Sequence, residues 1–113
     1  MLRRSIFSIL SALLLVGTIA DPLRIDGLIA AVVSPFTSDG LSLNVSVVRL
    51  QAEYLQATGV RNVFVAGTTG ESLSMTVIER EYLVEAWEEI ASEFSISYIV
   101  HVGAEAIGDV QRF

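Results

Sequence analysis

Residues 62–72 read NVFVAGTTGES, and this stretch joins an apolar run to a loop framed by two glycines. Its VFVA segment is typical of a short parallel strand that is covered on both faces. Gly67 and Gly70 permit backbone angles and close approaches that a Cβ would block. The hydroxyls of Thr68 and Thr69 lie between them, ahead of an expected helix whose dipole favours negative charge. The stretch therefore predicts a strand that ends at a binding site for a small anion such as a carboxylate.

The composition limits the classes of partner and of chemistry. The chain has 113 residues, of which 52% are hydrophobic, and a net charge of −6. This charge argues against nucleic acid and against an anionic membrane surface as partners. There is no cysteine, which excludes disulfides, thiolate metal ligands and a cysteine nucleophile. All seven basic residues are arginines, and the sequence contains no lysine. Chemistry that needs a lysine amine therefore cannot be carried out by these 113 residues alone.

The first twenty residues differ from the rest of the chain. Arg3 and Arg4 precede an apolar run at residues 6–16, and small residues stand before a possible cleavage at Asp21. This layout is typical of a secretory signal peptide and is too short for a comfortable membrane span. Residues 1–20 are therefore interpreted as a signal peptide or, alternatively, as a spurious leader.

Strands and helices are predicted to alternate after residue 27, which is typical of an α/β fold with a parallel sheet. Such units build either an open doubly wound sheet or a (β/α)8 barrel, and a barrel needs ~250 residues. We therefore expect the first three strand–helix units of a larger, incomplete TIM barrel at residues 27–113. The predicted strands are residues 28–33, 63–66 and 98–102, and the predicted helices are residues 45–58, 76–94 and 107–113.

Helix-capping residues mark the ends of the first two predicted helices. Asn44 is expected to cap the first helix through its side chain, and Gly59 is expected to end it. Thr76 and Glu79 have the spacing of a capping box at the start of the second helix. The buried stripe of that helix is expected to contain Leu83, Trp87, Ile90, Ala91 and Phe94.

Other polar residues near the predicted loop have simpler interpretations. Glu71 is expected to satisfy N–H groups of the following helix rather than to act as a base, and Ser72 and Ser74 to form local hydrogen bonds. His101, the only histidine, lies near the end of the third predicted strand. A single histidine in an apolar strand is more often a hydrogen-bonded structural residue than a catalyst. No group of residues has the spacing of metal ligands.

The GTTGE sequence at residues 67–71 resembles the signature loop of the pyruvate-dependent aldolases, the N-acetylneuraminate lyase and dihydrodipicolinate synthase family of (β/α)8 barrels. GLIAAVVSPF at residues 27–36 is similar to the first strand of that family and its turn. VHVGA at residues 100–104 is similar to the third strand of animal N-acetylneuraminate lyases, where dihydrodipicolinate synthases tend to carry Ala-Gly-Thr-Gly. The resemblance extends over residues 27–113 and favours the lyase branch.

The resemblance implies a reaction in which a lysine forms a Schiff base with an open-chain sugar acid, giving pyruvate and N-acetylmannosamine. It implies that Thr68 and Thr69 hold the carboxylate of the pyruvate moiety, while Gly67, Gly70 and Glu71 support the loop. It further implies that the reaction uses no metal and no bound cofactor. Complete members of the family are expected to form homotetramers and to work in the cytoplasm. A location in the secretory pathway stays open if residues 1–20 form a working signal peptide.

The sequence departs from the family at the reacting group. It contains no lysine, and by the resemblance the strands with the lysine and the proton-relay tyrosine lie beyond Phe113. The chain is therefore expected to be a truncated product or an incomplete gene model that contains no catalytic residue and is inactive alone. Two alternatives remain open: a dihydrodipicolinate synthase-like aldolase, and a non-catalytic fragment that associates with a full-length subunit through an exposed strand edge.

Overall fold

The structure, a computed structural model, describes residues 24–113, in which strands and helices alternate as the sequence predicts. The predicted leader at residues 1–20 lies outside the described residues. Within residues 24–113, every helix is too short or too polar to cross a lipid bilayer. The strands are β1 (Ile29–Ala31), β2 (Asn62–Val65) and β3 (Ser97–Val100), and the helices are α1 (Val48–Ala57), α2 (Val77–Phe94) and α3 (Ile107–Val110).

The three strands form one parallel sheet with β2 in the centre. The register aligns Ala30 of β1 with Val63 of β2, and Val63 with Tyr98 of β3. Because the strands are parallel, their carboxyl ends lie along the same edge of the sheet. The loops that follow β2 and β3 therefore meet at that edge, where α/β folds place their ligands.

Two helices cover one face of this sheet. Val63 and Val65 are fully buried, and side chains point to alternate faces along a strand, so Phe64 between them lies on the opposite face. On that opposite face Ile29 of β1 remains 46% exposed. The core on the covered face contains Val48, Ala52 and Leu55 from α1, and Leu83, Trp87 and Ala91 from α2.

The helix ends confirm two of the three expected caps. Gly59 has a φ of 81°, and the Val60 N–H donates to the Leu55 carbonyl at 3.0 Å, which closes the end of α1 in a Schellman motif. Thr76 and Glu79 form the predicted capping box. The prediction for Asn44 was wrong: its side-chain oxygen accepts a hydrogen bond from the Ser46 hydroxyl at 2.6 Å and caps no backbone N–H.

The observed elements are shorter than predicted at several ends. β2 stops at Val65 because Ala66 adopts a left-handed conformation with a φ of 56°, although the sequence placed Ala66 in the strand. β3 begins one residue early and stops at Val100, so His101 belongs to the following segment. A short 3-10 turn, Val45–Val47, precedes α1, and α3 ends at Val110 rather than at residue 113.

The capping box makes the stability of the fold depend on pH. The Glu79 carboxylate accepts hydrogen bonds at 2.8 Å from both the backbone N–H and the hydroxyl of Thr76. The backbone bond first, and the hydroxyl bond second, hold the pKa of Glu79 below its ordinary value. A carboxyl group whose pKa is lowered by folding stabilises the folded state above its unfolded pKa, and this contribution is lost as the pH falls through the folded pKa.

We expect Glu79→Gln to lose less stability than the wild type when the pH falls from about 7 to about 3, because glutamine can still accept these hydrogen bonds but does not titrate. Urea unfolding at the two pH values measures the change in the free energy of unfolding. Glu88→Gln removes an exposed carboxylate of the same helix and controls for net charge. Equal acid losses in the wild type and Glu79→Gln would contradict this assignment.

Candidate functional site

The loop after β2 turns sharply through two left-handed residues. Ala66 has a φ of 56° and Glu71 a φ of 53°, a conformation that residues other than glycine adopt infrequently. Between them, the Glu71 N–H donates to the Thr68 carbonyl at 3.0 Å and the Ser72 N–H donates to the Gly67 carbonyl at 3.2 Å. These two bonds close residues 67–72 into a compact turn.

The backbone passes very close to Gly70. A Cβ at Gly70 would lie 3.2 Å from the Cα and N atoms of Ala66 and from the Val32 carbonyl oxygen. Gly67 is also tightly packed, because a Cβ there would lie 2.6 Å from the Phe64 ring. Both glycines therefore lie where a larger residue would meet neighbouring atoms.

A buried hydrogen bond ties the loop to the segment after β1. The Ser34 hydroxyl donates to the Gly70 carbonyl oxygen at 2.6 Å, and Ser34 is only 8% exposed. The sequence pattern alone does not identify Ser34 as part of the site. Its partner lies 36 residues away, so no local pattern marks the contact.

Thr68 and Thr69 are exposed at the carboxyl edge of the sheet. Within residues 24–113, neither their backbone N–H groups nor their hydroxyls have a hydrogen-bond partner. Thr68 also lines a depression of about 490 Å³ between this loop and residues 101–105, whereas Thr69 is not among its lining residues. The two threonines therefore present several donors to a ligand approaching the carboxyl edge.

The predicted contribution of a helix dipole was wrong. A 3-10 turn, Ser72–Ser74, follows the loop, and α2 begins only at Val77. The expectation that Glu71 satisfies N–H groups was also wrong: its side chain forms no hydrogen bond to an N–H group within residues 24–113, and the residue lines the depression instead. Ser72 and Ser74 form their local hydrogen bonds through backbone groups. An anion at this loop would therefore depend on the hydroxyl and N–H donors of the loop itself.

A buried arginine supports the segment opposite the threonine loop. Arg80 of α2 is 3% exposed, and its guanidinium donates to the Gly103 carbonyl at 2.9 Å and to the His101 carbonyl at 2.6 Å. Burial lowers the pKa of Arg80, and the nearby Asp109 carboxylate opposes that change. The sequence analysis missed this residue, although Arg80 shares the helical spacing of Leu83 in the buried stripe.

His101 lies between the two loops. The backbone N–H of His101 donates to the Val65 carbonyl at 3.0 Å, and the ring Nδ1 lies 3.1 Å from the Ala66 carbonyl oxygen. The ring lines the same depression as Thr68. The structure thus brings together one of the two predicted anion-binding residues and a histidine that the sequence analysis interpreted as structural. Within residues 24–113, no three potential metal ligands lie close enough together to hold an ion.

A sequence profile of the dihydrodipicolinate synthetase family matches residues 24–112. The chain belongs to this family. It is 39% identical over 90 residues to human N-acetylneuraminate lyase and 42% identical over 90 residues to the zebrafish (Danio rerio) enzyme of the same name. Each alignment covers 79% of this chain, but only 28% of the human and 29% of the zebrafish protein. The chain therefore spans less than a third of these curated relatives.

Solved structures show the same likeness. The N-acetylneuraminate lyase of Proteus mirabilis superposes with a TM-score of 0.74 at 41% identity, covering 80% of this chain and 30% of the enzyme. Dihydrodipicolinate synthase from Aquifex aeolicus superposes with a TM-score of 0.69 at 27% identity, covering 78% of this chain and 29% of that enzyme. These comparisons confirm the predicted architecture, strand–helix units that match the N-terminal part of a TIM barrel.

The packing around Gly70 predicts that Gly70→Ala displaces the threonine loop. We expect a loss of about 1–3 kcal/mol in the free energy of unfolding, since the added methyl group meets backbone atoms rather than a mobile side chain. We also expect the amide signals of Thr68 and Thr69 to shift in the ¹H–¹⁵N spectrum. Gly108→Ala, where a Cβ meets no atom within 4 Å, is the matched control and should retain both properties. Unchanged loop signals in Gly70→Ala would contradict the steric argument.

Proposed function

We propose that this chain contributes the carboxylate-binding loop of an aldolase that cleaves N-acetylneuraminate to N-acetylmannosamine and pyruvate. The observation that carries the proposal is the unpartnered pair Thr68 and Thr69 in a chain similar to proteins named N-acetylneuraminate lyase. In this assignment the two residues bind the carboxylate of the pyruvate moiety, and Gly67, Gly70 and Glu71 shape the turn around them.

The electrostatics of the chain support a local binding mode. The net charge of −6 repels an anion at long range, so binding must depend on short-range donors. Hydrogen bonds from N–H and hydroxyl groups to a carboxylate are charge-assisted and stronger than neutral ones. The tight packing at Gly70 and the Ser34 hydrogen bond fix the loop before the ligand arrives, which reduces the entropy lost on binding.

The chemical step needs an amine that these residues do not supply. In the proposed reaction a lysine forms an imine with the keto carbon of the sugar acid, and the protonated imine stabilises the carbanion as an enamine when the carbon–carbon bond breaks. The 113 residues contain no lysine. The proposed role of this chain is therefore to bind and orient the keto acid, while the reacting amine belongs to other residues.

A second candidate is a pyruvate aldolase of the dihydrodipicolinate synthase type. The superposition on the Aquifex aeolicus enzyme favours it as a specific alternative. Both candidates require a keto-acid carboxylate at Thr68 and Thr69, so pyruvate binding does not separate them. A higher affinity for the hydroxyl-rich N-acetylneuraminate than for pyruvate would favour the lyase.

Pyruvate is expected to shift the amide signals of Thr68 and Thr69 in a ¹H–¹⁵N titration of the chain. Thr69→Val should weaken this binding at least tenfold, or about 1.4 kcal/mol, because the variant replaces a hydroxyl donor by a methyl group of similar size. Methyl pyruvate, which lacks the carboxylate charge, is the matched control ligand and should leave the loop signals in place. Equal affinity in the wild type and Thr69→Val would argue against the assignment.

Borohydride treatment with pyruvate is expected to leave the chain without a side-chain adduct. A lysine Schiff base is reduced to a stable secondary amine, and no lysine is present to form one. Mass spectrometry of proteolytic fragments measures the result, with a lysine-containing aldolase of this family treated in parallel. A mass increase that corresponds to reduced pyruvate on any side chain would show that the chain carries its own nucleophile.

A further inference from the structure

We propose that His101 binds a hydroxyl group of the ligand through its Nε2 atom, and that Arg80 is the positioning residue that holds His101 in place. The site is the depression of about 490 Å³ next to Thr68. The identity of the ligand rests on the proposed function, whereas the preference for a hydroxyl donor follows from the contacts of the histidine itself.

The hydrogen bond at Nδ1 determines which ring nitrogen carries the proton. Nδ1 of His101 lies 3.1 Å from the Ala66 carbonyl oxygen, which can only accept. Nδ1 must therefore be the protonated nitrogen, and in the neutral ring Nε2 is left as an acceptor. No group within residues 24–113 forms a hydrogen bond to Nε2. A ligand hydroxyl group that donates a hydrogen bond to Nε2 would satisfy this acceptor.

The ring packs against two neighbouring residues. The Phe64 ring contacts it at a centroid distance of 6.0 Å and an interplanar angle of 56°. Gly103 is also close to the ring, because a Cβ there would be 2.5 Å from Cε1 and 2.7 Å from Nε2. Gly103 therefore leaves space for the edge of the ring that carries Nε2, and His101 and Gly103 both line the depression.

Arg80 holds the backbone on which this geometry depends. Its two terminal nitrogens donate to the carbonyls of His101 and Gly103, the two residues that set the position of the ring. The Phe113 ring covers the guanidinium at 4.5 Å, and Asp109 lies near enough to favour its charge. The guanidinium presents its donors as a rigid fork, which a lysine ammonium cannot reproduce at both carbonyls.

The polar groups of the depression suit one part of the ligand. Glu71 and Glu105 line it together with His101, so it offers acceptors for the hydroxyl groups of a ligand. N-acetylneuraminate has a carboxylate at one end and a neutral chain of hydroxyl groups at the other. With the carboxylate at Thr68 and Thr69, as in the proposed function, the hydroxyl chain would extend towards His101.

The single histidine makes the proposal directly measurable, since all imidazole signals in the spectrum come from His101. N-acetylneuraminate at millimolar concentration is expected to shift these ring signals. Pyruvate is expected to shift the loop amides and leave the ring signals in place. His101→Ala should weaken N-acetylneuraminate binding about fivefold, as followed by the loop amides, with pyruvate affinity unchanged.

The tautomer of the His101 ring shows whether Arg80 positions that ring, independently of any effect of Arg80 on stability. In the wild type a long-range ¹H–¹⁵N spectrum should show a proton on Nδ1 and none on Nε2. Arg80→Met should give a mixture of His101 tautomers and the same selective loss of N-acetylneuraminate affinity. Arg80→Lys should restore neither the single tautomer nor the affinity. If Arg80→Met fails to fold, Gly103→Ala displaces the ring while Arg80 is intact and should produce the same changes. Gly108→Ala is the control.

Two results distinguish this proposal from the proposed function. Loop amides that respond to N-acetylneuraminate while the His101 signals stay unchanged would overturn the role of His101 and leave the carboxylate site intact. Loop amides that do not respond to pyruvate would overturn the carboxylate site. A wild-type ring with its proton on Nε2 would also overturn the role of His101, because the acceptor would then face away from the ligand.

Discussion

The buried hydrogen bond between the Ser34 hydroxyl and the Gly70 carbonyl is the contact on which the candidate site depends. In the described part of the chain, two backbone hydrogen bonds close the loop after β2. Ser34 connects it to the segment after β1, and Gly70 permits the close approach that this connection requires. Without the hydroxyl, the Gly70 carbonyl would be buried without a partner, which costs more than the bond itself contributes.

Features that depend on neighbouring residues could be predicted from the sequence. The apolar run of β2 and the capping box of Thr76 and Glu79 each lie within a few residues, and the structure contains both. The alternation of strands and helices also determined the parallel α/β architecture. At the site, the apolar run and the glycines on both sides of Thr68 and Thr69 predicted a strand that runs into a loop, and the structure contains both.

Features that depend on distant residues could not be predicted. Arg80 is buried because carbonyls more than twenty residues away accept its hydrogen bonds, whereas its charge alone predicts exposure. Ala66 and Glu71 adopt left-handed conformations that their residue types do not suggest. The side-chain oxygen of Asn44 accepts a hydrogen bond from Ser46 instead of from a backbone N–H, so the residue type alone did not predict whether Asn44 caps the helix. The pairing of His101 with Ala66 likewise joins residues that follow two different strands.

The central position of β2 has a consequence for motion. β2 is hydrogen-bonded on both sides, whereas β1 and β3 each have one neighbouring strand among the described residues. Outer strands of such a sheet open in local fluctuations of lower free energy than the middle one, so hydrogen exchange is slowest in the middle. The threonine loop therefore extends from the strand that opens last, while His101 extends from a strand that opens sooner. Fluctuations of the sheet would separate the two before they disturb the threonine loop.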